Sequence, residues 1–187
     1  VEESGDATWT LQYRLRLDTD EKRQAFDELE ADIEANRSTY LDPFESRLTE
    51  TVATAESATG REMSATDFTV STQTDTQPQA EFGLVVFEFE WGGFAAVSDG
   101  EIHAGDALDR LFLEDGQRLQ IDWPDGYESD SSTPVPAVSE QHRVVWHGPI
   151  EFAAGQPRVV LSPVDEGVSL LLPTGGGLVA LALGCIG

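Results

Sequence analysis

Three histidines, one cysteine and 35 Asp and Glu residues are the groups in this chain that could ligate a metal or move a proton. His103, His142 and His147 lack metal-ligand spacing, and the cysteine, Cys185, is distant from all three in sequence. His142 and His147 stand five residues apart along a strand-like run, so a regular strand turns them to opposite faces. Asp125, Glu128 and Asp130 cluster, but without the ligand order of a calcium loop or its terminal bidentate Glu. No Gly-x-Ser-x-Gly elbow occurs, and the run Gly175-Gly176-Gly177 lacks the Lys and Ser or Thr of a phosphate-binding loop. A carboxylate pair for glycoside chemistry cannot be picked from 35 candidates by spacing alone. Ala182-Leu183-Gly184-Cys185 looks like a lipid-attachment box at the wrong end of a chain. These residues yield no catalytic, cofactor-binding or metal-ligating assignment. Asn36-Arg37-Ser38 alone fits a modification pattern, which makes Asn36 a candidate N-glycosylation acceptor if the chain is exported.

The elements that would position these groups read as an α+β fold. Thr8 to Leu17 alternates, with Trp9, Leu11, Tyr13, Leu15 and Leu17 on one face, which predicts a half-buried strand. Asp18 or Thr19 then caps a helix over 20–37, and Asp42-Pro43 reads as the cap and first turn of a second over 42–59, stopped by Gly60. Phe68 to Thr74 and Phe82 to Trp91 form a hairpin around Gln77-Pro78-Gln79, with Val85, Phe87, Phe89 and Trp91 inward. Asp106 to Leu113 reads as one or two helical turns, Arg118 to Trp123 as a strand, Ser129 to Pro136 as a loop, and Arg143 to Trp146 and Arg158 to Leu161 as short strands. The expected architecture is an antiparallel sheet with two N-terminal-half helices packed on one face. Phe26, Leu29, Ile33, Phe44 and Leu48 would be buried against Leu11, Tyr13, Val85 and Phe87. Trp91, Trp123 and Trp146 fall on apolar strand phases, so core packing is preferred over an aromatic binding platform.

Charge says where such a fold would work. The 187 residues carry 35 Asp and Glu against 11 Lys and Arg, a formal net charge of -24. The acids are spread along the chain, and Lys22 is the only lysine. Like charges at this density destabilise a compact state, and molar salt, with a screening length of about 3 Å, removes most of that repulsion. The composition therefore predicts adaptation to high salt. It argues against nucleic acid as a partner, since no basic stripe is available to meet phosphates.

The domain organisation expected is a polar N-terminus over 1–7, a domain over 8–163, a Gly/Pro-containing linker over 164–177, and an uncharged tail over 178–187. The tail is the start of a truncated transmembrane helix or a final apolar strand, because about 20 apolar residues are needed to span a bilayer. A first residue Val1 in place of Met fits removal of a signal peptide or trimming of the chain.

Several stretches carry a resemblance: Tyr13-Arg14-Leu15-Arg16-Leu17-Asp18-Thr19-Asp20-Glu21, Thr51 to Met63, Phe87-Glu88-Phe89-Glu90-Trp91-Gly92-Gly93-Phe94, Trp123-Pro124-Asp125-Gly126-Tyr127-Glu128, and Val145-Trp146-His147-Gly148-Pro149. Over residues 8–162 the chain resembles an uncharacterised family of haloarchaeal exported proteins. The resemblance implies a signal peptide, an extracytoplasmic domain and a transmembrane helix, often followed by a cytoplasmic winged-helix domain. Its motifs are turns and core aromatics and bring no catalytic residues.

The functional expectation is a non-enzymatic extracytoplasmic domain with no cofactor, anchored through its C-terminus at the extracellular face of the membrane and engaged in sensing or cell-surface interaction. One alternative is a surface-filament subunit that self-associates as Val168–Leu172 or Leu178–Leu183 adds to a neighbour's sheet edge. The other is a secreted, carboxylate-dependent hydrolase.

Overall fold

The structure is a computed structural model that describes residues 1–164. The linker and tail expected over 164–177 and 178–187, with Val168–Leu172, Gly175–Gly177 and Cys185, therefore lie outside the described residues, apart from Val164.

Strand β1, Ala7–Arg16, is followed by helices α1, Asp20–Ala35, and α2, Arg37–Thr59, and by the long hairpin β2, Ser64–Gln77, and β3, Ala80–Gly92. β3 is the middle strand: β1 pairs with it from Ala7↔Trp91 to Arg16↔Phe82, and β2 pairs with its other edge from Ser64↔Gly92 to Gln77↔Ala80. Both ladders are antiparallel, and a bulge between Thr66 and Thr69 shifts the second. Pro78 and Gln79 make the hairpin turn between the paired Gln77 and Ala80.

The remaining strands are short: β4, Ala96–Ser98; β5, Glu101–Ala104; β6, Phe112–Leu113; β7, Arg118–Asp122; β8, Tyr127–Thr133; β9, Val138–Glu140; β10, Arg143–His147; β11, Ile150–Glu151; and β12, Arg158–Pro163. They form a four-stranded sheet in the order β4-β5-β12-β8, a three-stranded sheet β7-β10-β9, and the pair β11-β6. Among the described residues, two helices and many antiparallel strands make the fold α+β, mostly β.

One hydrophobic cluster joins the two halves of the chain. Phe44, Phe89, Trp91 and Phe94 share it with Ile102, Ile121, Trp146, Val159 and Leu161. A second cluster gathers Leu17, Phe26, Ile33, Val70 and Val85. Phe44 meets Phe87 at 4.6 Å between ring centroids and Phe68 at 5.9 Å edge-on, within the range in which aromatic pairs attract.

The structure corrects several expectations. The break between helices falls at Asn36, six residues before Asp42, and Pro43 lies inside α2. Asn36 takes a non-helical φ of -130° and closes α1 through its N–H to the Asp32 carbonyl. Pro43 removes one N–H and crowds one preceding carbonyl, and the helix continues past it because Phe44 is buried in the aromatic cluster immediately after. Thr19, rather than Asp18, caps α1: its hydroxyl accepts from Lys22 N–H at 3.3 Å, while Asp18 pairs with the Lys22 ammonium at 2.5 Å. Gly60 ends α2 in the left-handed conformation, φ 69°.

Tyr13 is not buried beneath the helices. It is 51% exposed and Leu15 44%, because the principal helix contacts fall on β2, and β1 is the edge strand on the other side of β3. Phe112 and Leu113 form a strand where helical turns were expected, and only Asp106–Leu108 coils, as 3₁₀. Tyr127–Thr133 is a strand where a loop was expected from Ser129 onward; pairing with β12 overrides its polar composition. The N-terminus is tied to the fold: Ala7 is buried, Ala95 N–H donates to the Gly5 carbonyl, and the Val1 ammonium reaches the Asp122 carbonyl at 2.8 Å.

Candidate functional site

The three histidines are held apart. His103, on β5, lies 3.2 Å from the Glu101 carboxylate and 3.3 Å from an Arg158 nitrogen. His142, just before β10, faces Asp125 at 3.0 Å, and His147 ends β10 exposed to solvent. Asp125 thus sits in a turn beside His142, while Asp130, on β8, accepts from the Ser162 hydroxyl of β12. Among the described residues no group of three or more His, Cys, Asp and Glu is placed to hold a metal ion. Asn36 is exposed at the junction of α1 and α2, and its amide nitrogen donates to Asp32 at 2.8 Å. The Tyr40 hydroxyl donates to the other oxygen of Asp32, so this carboxylate braces both helices and is held below its ordinary range, first by Tyr40 and then by Asn36. Trp91, Trp123 and Trp146 are core residues; the indole N–H of Trp123 donates to the Tyr127 carbonyl and that of Trp146 to the Pro134 carbonyl.

Sequence reasoning missed Arg61. It follows the end of α2 and its guanidinium satisfies four acceptors: the carbonyls of Gly93 at 2.6 Å and Phe94 at 2.8 Å, and both oxygens of Asp106, at 2.8 and 2.9 Å. Asp6 accepts from Gly93 N–H at 2.7 Å on the same turn. The planar fork of arginine matches such a set of oxygens, which an ammonium cannot do. The bidentate pair ties α2 to the 3₁₀ turn and the bend after β3, so the role is structural.

One surface with interaction capacity left over is β1, an edge strand of its sheet. Its ten residues include two arginines and no carboxylate, in a chain where Asp and Glu number 35 of 187. Its inner edge pairs with β3, and no strand among the described residues pairs with its outer edge. From Gln12 to Arg16 every residue is exposed. On the face shared with Val85 and Phe87, Trp9 meets Phe89, Trp91 and Phe94 at 5.3–6.4 Å between ring centroids, and the apolar row continues outward through Leu11 to the exposed Tyr13 and Leu15. On the opposite face Thr8 and Thr10 donate to Glu90 and Glu88, and Arg14 lies 3.8 Å from the centroid of the Phe82 ring and reaches Asp75 at 2.9 Å. Unpaired strand edges of this kind are templates for pairing, and natural sheets usually blunt them with charge, Pro or bulges. The alternation of β1 was legible in the sequence, but its position at the rim was not.

A family model matches residues 1–127. The chain belongs to this family, DUF7345, a domain of unknown function. The DUF7345 match contains β1, both helices, the hairpin β2–β3 and the strands through β7, and it ends at Tyr127, the first residue of β8. Structurally the fold continues further, because β12 pairs with both β5 and β8. The β1 edge and the Arg61 clamp both lie within the DUF7345 region. No curated protein matches the chain. No helix among the described residues is long and apolar enough to cross a membrane.

Proposed function

We propose that the chain is a non-enzymatic, extracytoplasmic interaction or sensing domain of a salt-loving archaeon, exported and anchored to the cell membrane through its C-terminal segment. The observation that carries this reading is the charge: 35 acids dispersed from Glu2 to Glu166, a net charge of -24 and a single lysine. A surface so acidic stays hydrated in brine, and high salt relieves its self-repulsion. The uncharged stretch from Leu178 to Gly187 supports an anchor, and the accessible Asn36 supports an N-glycosylated outer surface. The acidity also disfavours nucleic acid as a partner of this segment, and no cofactor is invoked.

The test is topological. The full gene is expressed in a haloarchaeal host with an epitope tag in the exposed Asp115-Gly116 turn, and intact cells are treated with protease. Digestion of the tag while a cytoplasmic marker survives is expected. A tag protected in intact cells and lost only on lysis would overturn the reading.

A surface-filament subunit is a second reading, favoured by the open β1 edge. In it Val168–Leu172 or Leu178–Leu183 of one copy adds to the β1 edge of the next, so that the contact propagates.

A further inference from the structure

The geometry points to a second copy of this chain as the occupant of the β1 edge. Two β1 strands pair antiparallel about a two-fold axis at Gln12 and join two three-stranded sheets into one of six. This goes beyond the anchored-domain reading and does not depend on it.

Three observations carry the inference. The first is the open edge itself, on a ten-residue strand exposed without interruption from Gln12 to Arg16. The second is apolar complementarity. Centring the pair on Gln12 keeps side-chain parity, so the face bearing Trp9, Leu11, Tyr13 and Leu15 is continuous across the axis. Tyr13 then stands opposite Leu11 of the second copy, and Leu15 opposite its Trp9. Directly opposed pairs of this type are the unit of sheet stabilisation. They would cover Tyr13 and Leu15, two exposed large apolar side chains.

The third observation is charge. The same register sets Arg16 of one copy opposite Thr8 of the other, and the Thr8 hydroxyl donates to Glu90 at 2.9 Å. Neither Arg16 nor Glu90 has an ion-pair partner among the described residues. An arginine that reaches over one intervening strand to a carboxylate already occurs in this sheet: Arg14 of β1 crosses β3 to Asp75 of β2 at 2.9 Å. Two-fold symmetry makes two Arg16–Glu90 pairs, and Arg14 keeps its own partner. The strand that would meet its copy carries no carboxylate, which lessens the repulsion between two strongly acidic molecules at the contact.

The experiment uses the full chain with Cys185→Ser, in molar KCl, under mild oxidation. Residues facing themselves across an antiparallel two-fold have Cα atoms about 4.5–5.5 Å apart, within disulfide reach. Gln12→Cys is therefore expected to form a covalent dimer, while Thr8→Cys, far from its own copy in this register, stays monomeric. Gln12 is exposed, so the variant keeps the fold. At the lowest salt that keeps the protein folded, sedimentation should show Arg16→Glu and Glu90→Arg each weakening the dimer about tenfold, as expected when two exposed ion pairs become repulsions. The double swap should restore it. A monomer at every concentration, as when the chain's own residues 165–187 fill the edge, would overturn the proposal. So would cross-linking through Thr8→Cys as readily as through Gln12→Cys, or a double swap as weak as the single variants.

Discussion

Phe26 of α1 lies directly over Gly83 of β3: a methyl group at position 83 would stand 2.5–2.7 Å from the Phe26 ring. A glycine inside a strand ordinarily weakens it, and here it admits the close approach of an aromatic ring. Through this contact α1 seats on the sheet, with Val70 and Val85 alongside Phe26 and Ile33.

Gly83→Ala is expected to destabilise the domain by about 1–3 kcal/mol, the usual cost of forcing extra atoms into a packed core. Phe26→Leu in the same chain should recover part of the loss, since the smaller side chain makes room. A double-mutant cycle in denaturant checks this, and additive effects would show that the two sites do not compete for space.

Phe44→Ala should cost about 3–5 kcal/mol, because the ring is 3% exposed and touches Phe68, Phe87 and Phe89. The same substitution removes what holds α2 in line beyond Pro43. Helical circular dichroism should therefore fall along with the melting temperature.

Arg61→Ala and Arg61→Lys should be nearly equal in effect, each lowering stability by about 1–3 kcal/mol, since a lysine cannot reproduce the four contacts of the guanidinium. Full stability in Arg61→Lys would show that charge alone matters at this site.

Salt should govern stability most strongly. From molar salt to about 0.01 M the screening length grows from about 3 Å to about 30 Å, so nearly every carboxylate begins to feel many others. The melting temperature, followed by circular dichroism, is expected to fall steeply along that series. A flat profile would remove the case for salt adaptation.

The pH dependence has two parts of opposite sign. In low salt, lowering the pH from 7 toward about 5 begins to neutralise carboxylates, relieves repulsion and should raise the melting temperature. Asp18 and Asp32 act the other way. Lys22 holds Asp18 below the ordinary carboxylate range and Tyr40 does the same for Asp32. Depressed folded-state values mean that their stabilisation is present above the unfolded value of about 4 and is lost as pH falls through the lower folded values. Melting curves in low salt should therefore pass through a maximum in mild acid, whereas in molar salt only the acidic fall should remain.

Periodicity by itself determined β1, the hairpin β2–β3 and the inward phase of Phe89, Trp91, Trp123 and Trp146, because alternation along a strand is local and side-chain burial follows it. Charge counting likewise needed no coordinates. Only the tertiary structure decided that β3 is central and β1 is at the rim, because strand order depends on contacts between segments about 70 residues apart, which leave no local pattern. The phase of Tyr13 and Leu15 was therefore legible, but their exposure was not. Asn36 could break the helical run ahead of Pro43 because Phe44 found three aromatic partners from distant strands. Arg61, an ordinary surface residue in sequence, became a clamp once the fold brought Gly93, Phe94 and Asp106 around it. Local propensity chooses the elements, but packing between distant ones chooses their neighbours, and the neighbours determine which side chains remain free to meet a partner.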